Sequence, residues 1–191
     1  AGDPEALRAA VRQAADRIAG DVRHTPLWRL PGAALGLDLA EVWLKLEHLQ
    51  VAGSFKARGM LNRLLSNTIP ASGVIVASGG NAGIATAAAA KALGVPCEVF
   101  LPTVSSAAKQ ARLAELGAKV VVTGAAYSDA LAACLQRQSQ TGALLTHAYD
   151  QPEVVTGAGT LAREIEQQGG LPDSVLVGVG VGAHESAALV L

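Results

Sequence analysis

The strongest constraint on this chain is an alternation. From residue 41 onward, short apolar runs take turns with longer stretches in helical rhythm. The runs fall at 41–46, 74–77, 97–101, 119–123, 144–146 and 175–179. Helical stretches at 82–93, 106–116, 127–139 and 154–168 lie between them, and Gly94 and Gly117 stop the first two. An amphipathic helix carrying Leu7, Val11, Ala14 and Ile18, ended by Gly20, precedes the series, followed by the turn-like His24-Thr25-Pro26. Short strands joined by helical connections are parallel, with right-handed crossovers. The expected class is therefore α/β, with parallel sheets and helices on both faces. The run at 175–179 closes the series as a buried strand. Alanine-rich helices suit this design because they lie close on a sheet.

Composition removes several alternatives. Half of the 191 residues are hydrophobic, 16% are charged, the net charge is -1 and the mean hydropathy is +0.33. Disorder needs the opposite balance, and counterion-release binding of nucleic acid needs a basic excess. The longest uncharged stretch, 64–90, contains Pro70, Asn81 and several glycines, so it does not read as a membrane span. Cys97 and Cys134 stand far apart, with no CxxC and no histidine at metal spacing. They read as buried reduced thiols in a cytoplasmic protein, and no metal is expected. The low charge leaves apolar surface that expects a partner or a missing segment.

In doubly wound folds, ligands bind at the carboxyl ends of strands. Three turns there carry chemistry. Ser78-Gly79-Gly80-Asn81-Ala82-Gly83 runs straight into a helix. It reads either as a tight turn with an asparagine cap or as an anion site of free backbone amides. Gly178-Val179-Gly180-Val181-Gly182-Ala183 follows the last strand and formally fits a dinucleotide-binding pattern. Its glycines allow amides to approach a phosphate in any reading. The third turn ends in Ser54-Phe55-Lys56-Ala57, at the entrance to a helix. An amine among such residues can lose its water, which lowers its pKa and frees it for Schiff-base chemistry.

Gly53-Ser54-Phe55-Lys56-Ala57-Arg58-Gly59 resembles the Schiff-base lysine motif of fold-type II pyridoxal-phosphate enzymes, the tryptophan synthase β superfamily. Within them it is most similar to the threonine/serine dehydratase branch. The resemblance continues through Ser78 to Gly83, Leu93-Gly94-Val95-Pro96, Leu116-Gly117-Ala118, His147 to Asp150, and Gly157-Ala158-Gly159-Thr160 with Glu164. It covers nearly the whole chain.

What the resemblance implies is concrete. Lys56 would carry pyridoxal 5'-phosphate, with Phe55 packed near the ring and Gly178, Gly180 and Gly182 around the phosphate. Ser78, Gly80, Asn81 and Ala82 would hold the substrate carboxylate, and Asn81 would also reach the cofactor's 3'-oxygen. Once freed, Lys56 would take the Cα proton of threonine or serine, giving a 2-keto acid and ammonia. Family racemases place a serine where this chain has Gly79, which favours elimination over racemisation. Ala57 stands where sulfhydrylases and threonine synthases usually have an acidic residue.

The resemblance also implies a domain plan. Residues 1–52 would begin a large domain, 53–150 would form a complete small inserted domain, and 151–191 would resume the large one. Family members run longer, so the chain reads as C-terminally truncated. Its tail departs from the family pattern at Val181, Ala183, His184 and Glu185. The competing readings are an inactive truncated remnant that serves as a folding or oligomer partner, a serine racemase, and a nicotinamide-binding domain built on 178–183. The expected partners are an amino-acid substrate and a second copy of the chain in a dimer, with no nucleic acid and no membrane.

Overall fold

The computed structural model describes residues 3–177. Helix α1, Pro4–Ile18, starts on an Asp3 cap whose side chain accepts the Glu5 amide, and it buries Val11, Ala14 and Ile18. Strands β1, Leu27–Pro31, and β2, Glu41–Lys45, then form a two-stranded antiparallel ribbon in which Trp28 faces Leu44. This ribbon differs from the sequence reading, which places 41–46 at the head of the parallel series and no strand before it. The difference has a local cause. β1 ends in proline and buries none of its residues deeply, so it lacks the apolar run that marks the later strands.

Helix α2, Lys56–Leu65, is followed by β3, Val74–Ala77, and then α3, Asn81–Leu93. Next come β4, Cys97–Leu101, α4, Ala107–Glu115, β5, Lys119–Val122, and α5, Tyr127–Thr141. The short β6, Leu144–Leu145, and the long α6, Pro152–Gly169, complete the series. The four later strands form one parallel sheet in the order β5-β4-β3-β6.

The two-residue period of a strand divides the core. Val74, Val76, Val99 and Leu101 face one side, where they meet Ile18, Leu61 and Leu64, Ala87 and Ala90, and Leu113. Ile75, Ala77 and Phe100 face the other, against Ala130 and Cys134 of α5. Helices therefore cover both faces of the sheet, as the alternation requires. Gly94 and Gly142 end α3 and α5 in left-handed conformation, which a side chain rarely adopts.

Helix α6 comes back to pack on α1 and α2. Beyond it, residues 175–177 are not in a strand: Val175 is 40% exposed and Leu176 fully so. No described strand lies alongside to accept their backbone, so the buried strand expected at 175–179 is corrected for its described part. Gly178, Gly180 and Gly182, like the rest of the glycine-rich segment, lie outside the described residues. No helix among the described residues is long and apolar enough to cross a membrane.

Candidate functional site

Three connections meet at the carboxyl ends of the parallel strands. They are the turn from β3 into α3, the loop from β6 into α6, and the entry to α2. A small apolar cluster joins them: Met60 of α2, Ala82 and Ala85 of α3, and Val154 of α6 pack with Ala52 and Ala148. The sequence places Lys56 and Ser78 to Gly83 in separate motifs, and this cluster brings their elements together.

Lys56 is the first residue of α2. The backbone enters through two left-handed residues, Ala52 at φ 63° and Gly53 at φ 76°. An L-residue in that region costs about 1 kcal/mol, so Ala52 carries local strain immediately before the lysine. Half-buried, the Lys56 amine donates to the Ala148 carbonyl at 2.7 Å and lies 5.0 Å from the centre of the Phe55 ring. Burial pushes its pKa down to about 8. Phe55 itself is buried against Ala158, with Tyr149 and Leu161 around it. Ser54, two residues before the lysine, is buried with a hydroxyl that has no partner among the described residues.

At the start of α3 the cap does not fall on the asparagine. Gly80, not Asn81, is the cap residue, and no side chain caps the helix. Asn81 is the first helical residue and is exposed. The first amides of α3 therefore have no side-chain acceptor, and the helix dipole adds positive potential there. The Ser78 hydroxyl accepts the Gly80 amide at 3.3 Å, and Ala82 is buried beneath. Gly83 is required by space, since a Cβ would overlap the Ser78 carbonyl. At Gly79, a Cβ would meet Leu101 at 3.0 Å and the Ser105 hydroxyl at 3.3 Å.

Behind the lysine lies a charged network to which the sequence alone assigns no role. Arg58 has a fully buried side chain. Its guanidinium forks to Glu47, with Nε to Oε2 at 2.9 Å and Nη2 to Oε1 at 2.8 Å. It also reaches Glu164 from Nη1 at 2.7 Å and Nη2 at 2.9 Å. Lys45 donates to Glu164, to Gln168 and to the Thr25 carbonyl. Burial lowers the Lys45 pKa despite its carboxylate partner. Burial would raise the Glu164 carboxyl, but hydrogen bonds from Arg58 and Lys45 outweigh it and the net shift is downward. These contacts tie the end of β2, the segment just after it and α6 to Arg58, the second residue after Lys56, fixing the helix that presents the amine. The one signal in the sequence is a pair of cations and acids placed among apolar residues.

The donor set fits pyridoxal phosphate as far as the described residues reach. A lysine held near pKa 8 by burial suits Schiff-base formation, and the uncapped start of α3 suits an anion. The unpartnered Ser54 hydroxyl, two residues before the lysine, leaves a buried polar group to be satisfied.

Comparison with known proteins points the same way. Residues 18–189 match the family model described as pyridoxal-phosphate dependent enzyme. An L-threonine ammonia-lyase of Geobacter sulfurreducens is 39% identical over 176 residues, covering 90% of this chain and 43% of that protein. An L-threo-3-hydroxyaspartate ammonia-lyase of Pseudomonas sp is 36% identical, covering 90% of this chain and 54% of that protein. Among solved structures, a threonine deaminase of T.th. superposes with a TM-score of 0.87 at 34% identity, covering 96% of this chain and 60% of that one. A pyridoxal 5'-phosphate-dependent aspartate racemase superposes with a TM-score of 0.88 at 30% identity, covering 95% and 57%. The chain spans about half the length of the curated relatives it matches.

Proposed function

From the premise that the chain belongs to the pyridoxal-phosphate dependent enzyme family, we propose that it carries the reacting lysine and carboxylate loop of an ammonia-lyase acting on threonine or serine. The observation that carries this reading is the Lys56 amine, desolvated to a pKa of about 8 where three loops converge.

When bound, pyridoxal phosphate supplies an aldehyde that condenses with amines and a ring that takes up the electron pair left at Cα. The chain's own residues do the rest. Near neutral pH a useful fraction of Lys56 is unprotonated, so its Nζ would be free to hold the cofactor and, once released, to take a proton from Cα. Ser78, Gly80, Asn81 and Ala82 form the carboxylate cradle, supported by the free amides at the start of α3. Phe55 would pack near the cofactor ring, and Gly178, Gly180 and Gly182, which lie outside the described residues, would take the phosphate. Gly79 carries no side chain to move a proton on the opposite face, which supports elimination over racemisation. The product would be a 2-keto acid and ammonia.

Because, among the described residues, the parallel sheet draws its strands from 74–145, we treat 53–150 as an inserted unit between two parts of a larger domain. Cys97 and Cys134 are unpaired and buried, which supports a reducing, cytoplasmic setting. A homodimer is the proposed assembly.

The test is a titration of the full chain with pyridoxal phosphate, following the visible Schiff-base band. A saturable band in the parent that is missing in Lys56→Ala supports the assignment, followed by keto-acid formation from threonine and serine. The same band in Lys56→Ala overturns it.

A further inference from the structure

The loop that meets the lysine is held by a histidine. His147 Nδ1 accepts the backbone N–H of Asp150 at 3.0 Å and that of Tyr149 at 3.4 Å. The loop is closed from the other side by Gln151, whose Oε1 accepts the His147 amide at 2.9 Å and whose Nε2 donates to the Leu145 carbonyl at 3.1 Å. The His147 and Tyr149 rings pack edge to face with centroids 4.6 Å apart. Inside this turn is Ala148, whose carbonyl receives the Lys56 amine at 2.7 Å. We propose that His147 is a positioning residue for Lys56: by accepting at Nδ1 it folds the turn that aims the Ala148 carbonyl at the amine.

The chemistry of each partner suits that task. A backbone carbonyl accepts from an amine in either protonation state, so it orients Nζ without fixing its charge. A carboxylate in the same place would raise the lysine pKa and hold the amine as a cation. The Ala148 carbonyl favours the ammonium far less than a carboxylate would, so burial still sets the downward shift while the carbonyl orients the amine. Acceptance at Nδ1 puts the histidine's own ring proton on Nε2. The geometry is that of an Asx turn, in which a side-chain acceptor takes amides two and three residues on. An asparagine oxygen can close such a turn, whereas a phenylalanine keeps the aromatic contact with Tyr149 and closes nothing.

The inference rests on the reading of Lys56 as the reacting amine, but its test needs no cofactor. Competitive acylation of the full chain with acetic anhydride, read peptide by peptide against pH, gives the pKa of Lys56 directly. In His147→Phe the turn opens, water reaches the amine, and the Lys56 pKa rises by at least half a unit, which is about a threefold loss of free amine at pH 7. Amide exchange at Tyr149 and Asp150 quickens in the same variant. His147→Asn restores both to within a few tenths of the parent. An unchanged Lys56 pKa in His147→Phe overturns the proposal, as does an equal shift in both variants. Should His147→Phe not fold, His147→Gln replaces it, since its acceptor sits one bond too far to close the turn. Failure of the cofactor titration above would sink the functional reading and leave these measurements interpretable.

Discussion

Gly59 and Gly157 meet where α2 crosses α6. A Cβ on Gly157 would stand 2.7 Å from the Gly59 Cα and 2.6 Å from the Arg58 carbonyl oxygen. On the other helix, a Cβ on Gly59 would lie 2.7 Å from the Val154 carbonyl oxygen. Both obstacles are backbone, which cannot swing aside as a side chain does. Gly157→Ala is therefore expected to cost about 1–3 kcal/mol, as overpacking does, even though alanine is the better helix former. Urea unfolding checks this, and an unchanged midpoint would show that the helices part freely.

Glu164 neutralises both Arg58 and Lys45 in the network behind the lysine. In Glu164→Gln, Lys45 loses its carboxylate and Arg58 keeps only Glu47, so a buried cation is left poorly matched. Breaking such a pair costs about 3–5 kcal/mol. The folded-state pKa of Glu164 is depressed, so its contribution is present above the unfolded carboxylate value and lost as pH falls through the folded one. The stability gap between parent and variant should accordingly be full at pH 7 and narrow on acidification below the ordinary carboxylate value of 4.5. Denaturant curves at both ends of that range test it.

Much of this arrangement is legible in the chain, and the rest is not, for reasons that lie in particular residues. The runs at 74–77, 97–101 and 119–123 declare a parallel sheet because each is an apolar run and a helix separates it from the next. Lys56 stands out by its neighbours. Arg58 does not, because its acids are 11 and 106 residues away and nothing local says that a guanidinium will be buried. Asn81 looks like a cap by composition, yet the cap falls one residue earlier, on Gly80. That shift turns a satisfied terminus into an open one. β1 escapes notice because an exposed two-stranded ribbon has no strong apolar period, and Val175 and Leu176 mislead because, among the described residues, no strand lies beside them to pair with.

Gly80 and Gly83 lie three residues apart and should respond differently to the same substitution. A Cβ on Gly83 overlaps the Ser78 carbonyl, whereas one on Gly80 meets only the Ser78 hydroxyl at 4.0 Å. Gly83→Ala forces the turn off the helix start and should cost about 2–3 kcal/mol. Gly80→Ala should stay within about 0.5 kcal/mol of the parent in stability. If the turn holds the substrate carboxylate, Gly80→Ala then weakens substrate binding in a chain that melts normally. Thermal unfolding of the two variants side by side tests the structural half. Equal losses would refute the steric account.

Lys56 should make the chain less stable than it could be. Its folded-state pKa lies at about 8, below the 10.5 of a free lysine, because burial disfavours the charge. Below pH 8 both states are protonated and the folded state bears the full cost of the buried cation. As pH rises from 8 to 10.5 the folded state has already released its proton while the unfolded one still holds it, so stability grows with pH across that window. Lys56→Met removes the titrating group and keeps the volume. At pH 7 the variant should be the more stable by about 1 kcal/mol, a figure kept small because the amine is only half-buried and partly screened by solvent. That advantage should shrink above pH 8 and reach its minimum above pH 10.5. Melting temperatures of parent and variant across roughly pH 6 to 11 would read it out. An advantage that does not vary with pH would mean that Lys56 costs stability through packing rather than charge, and a parent more stable at pH 7 would mean that its amine is solvated and not poised for reaction.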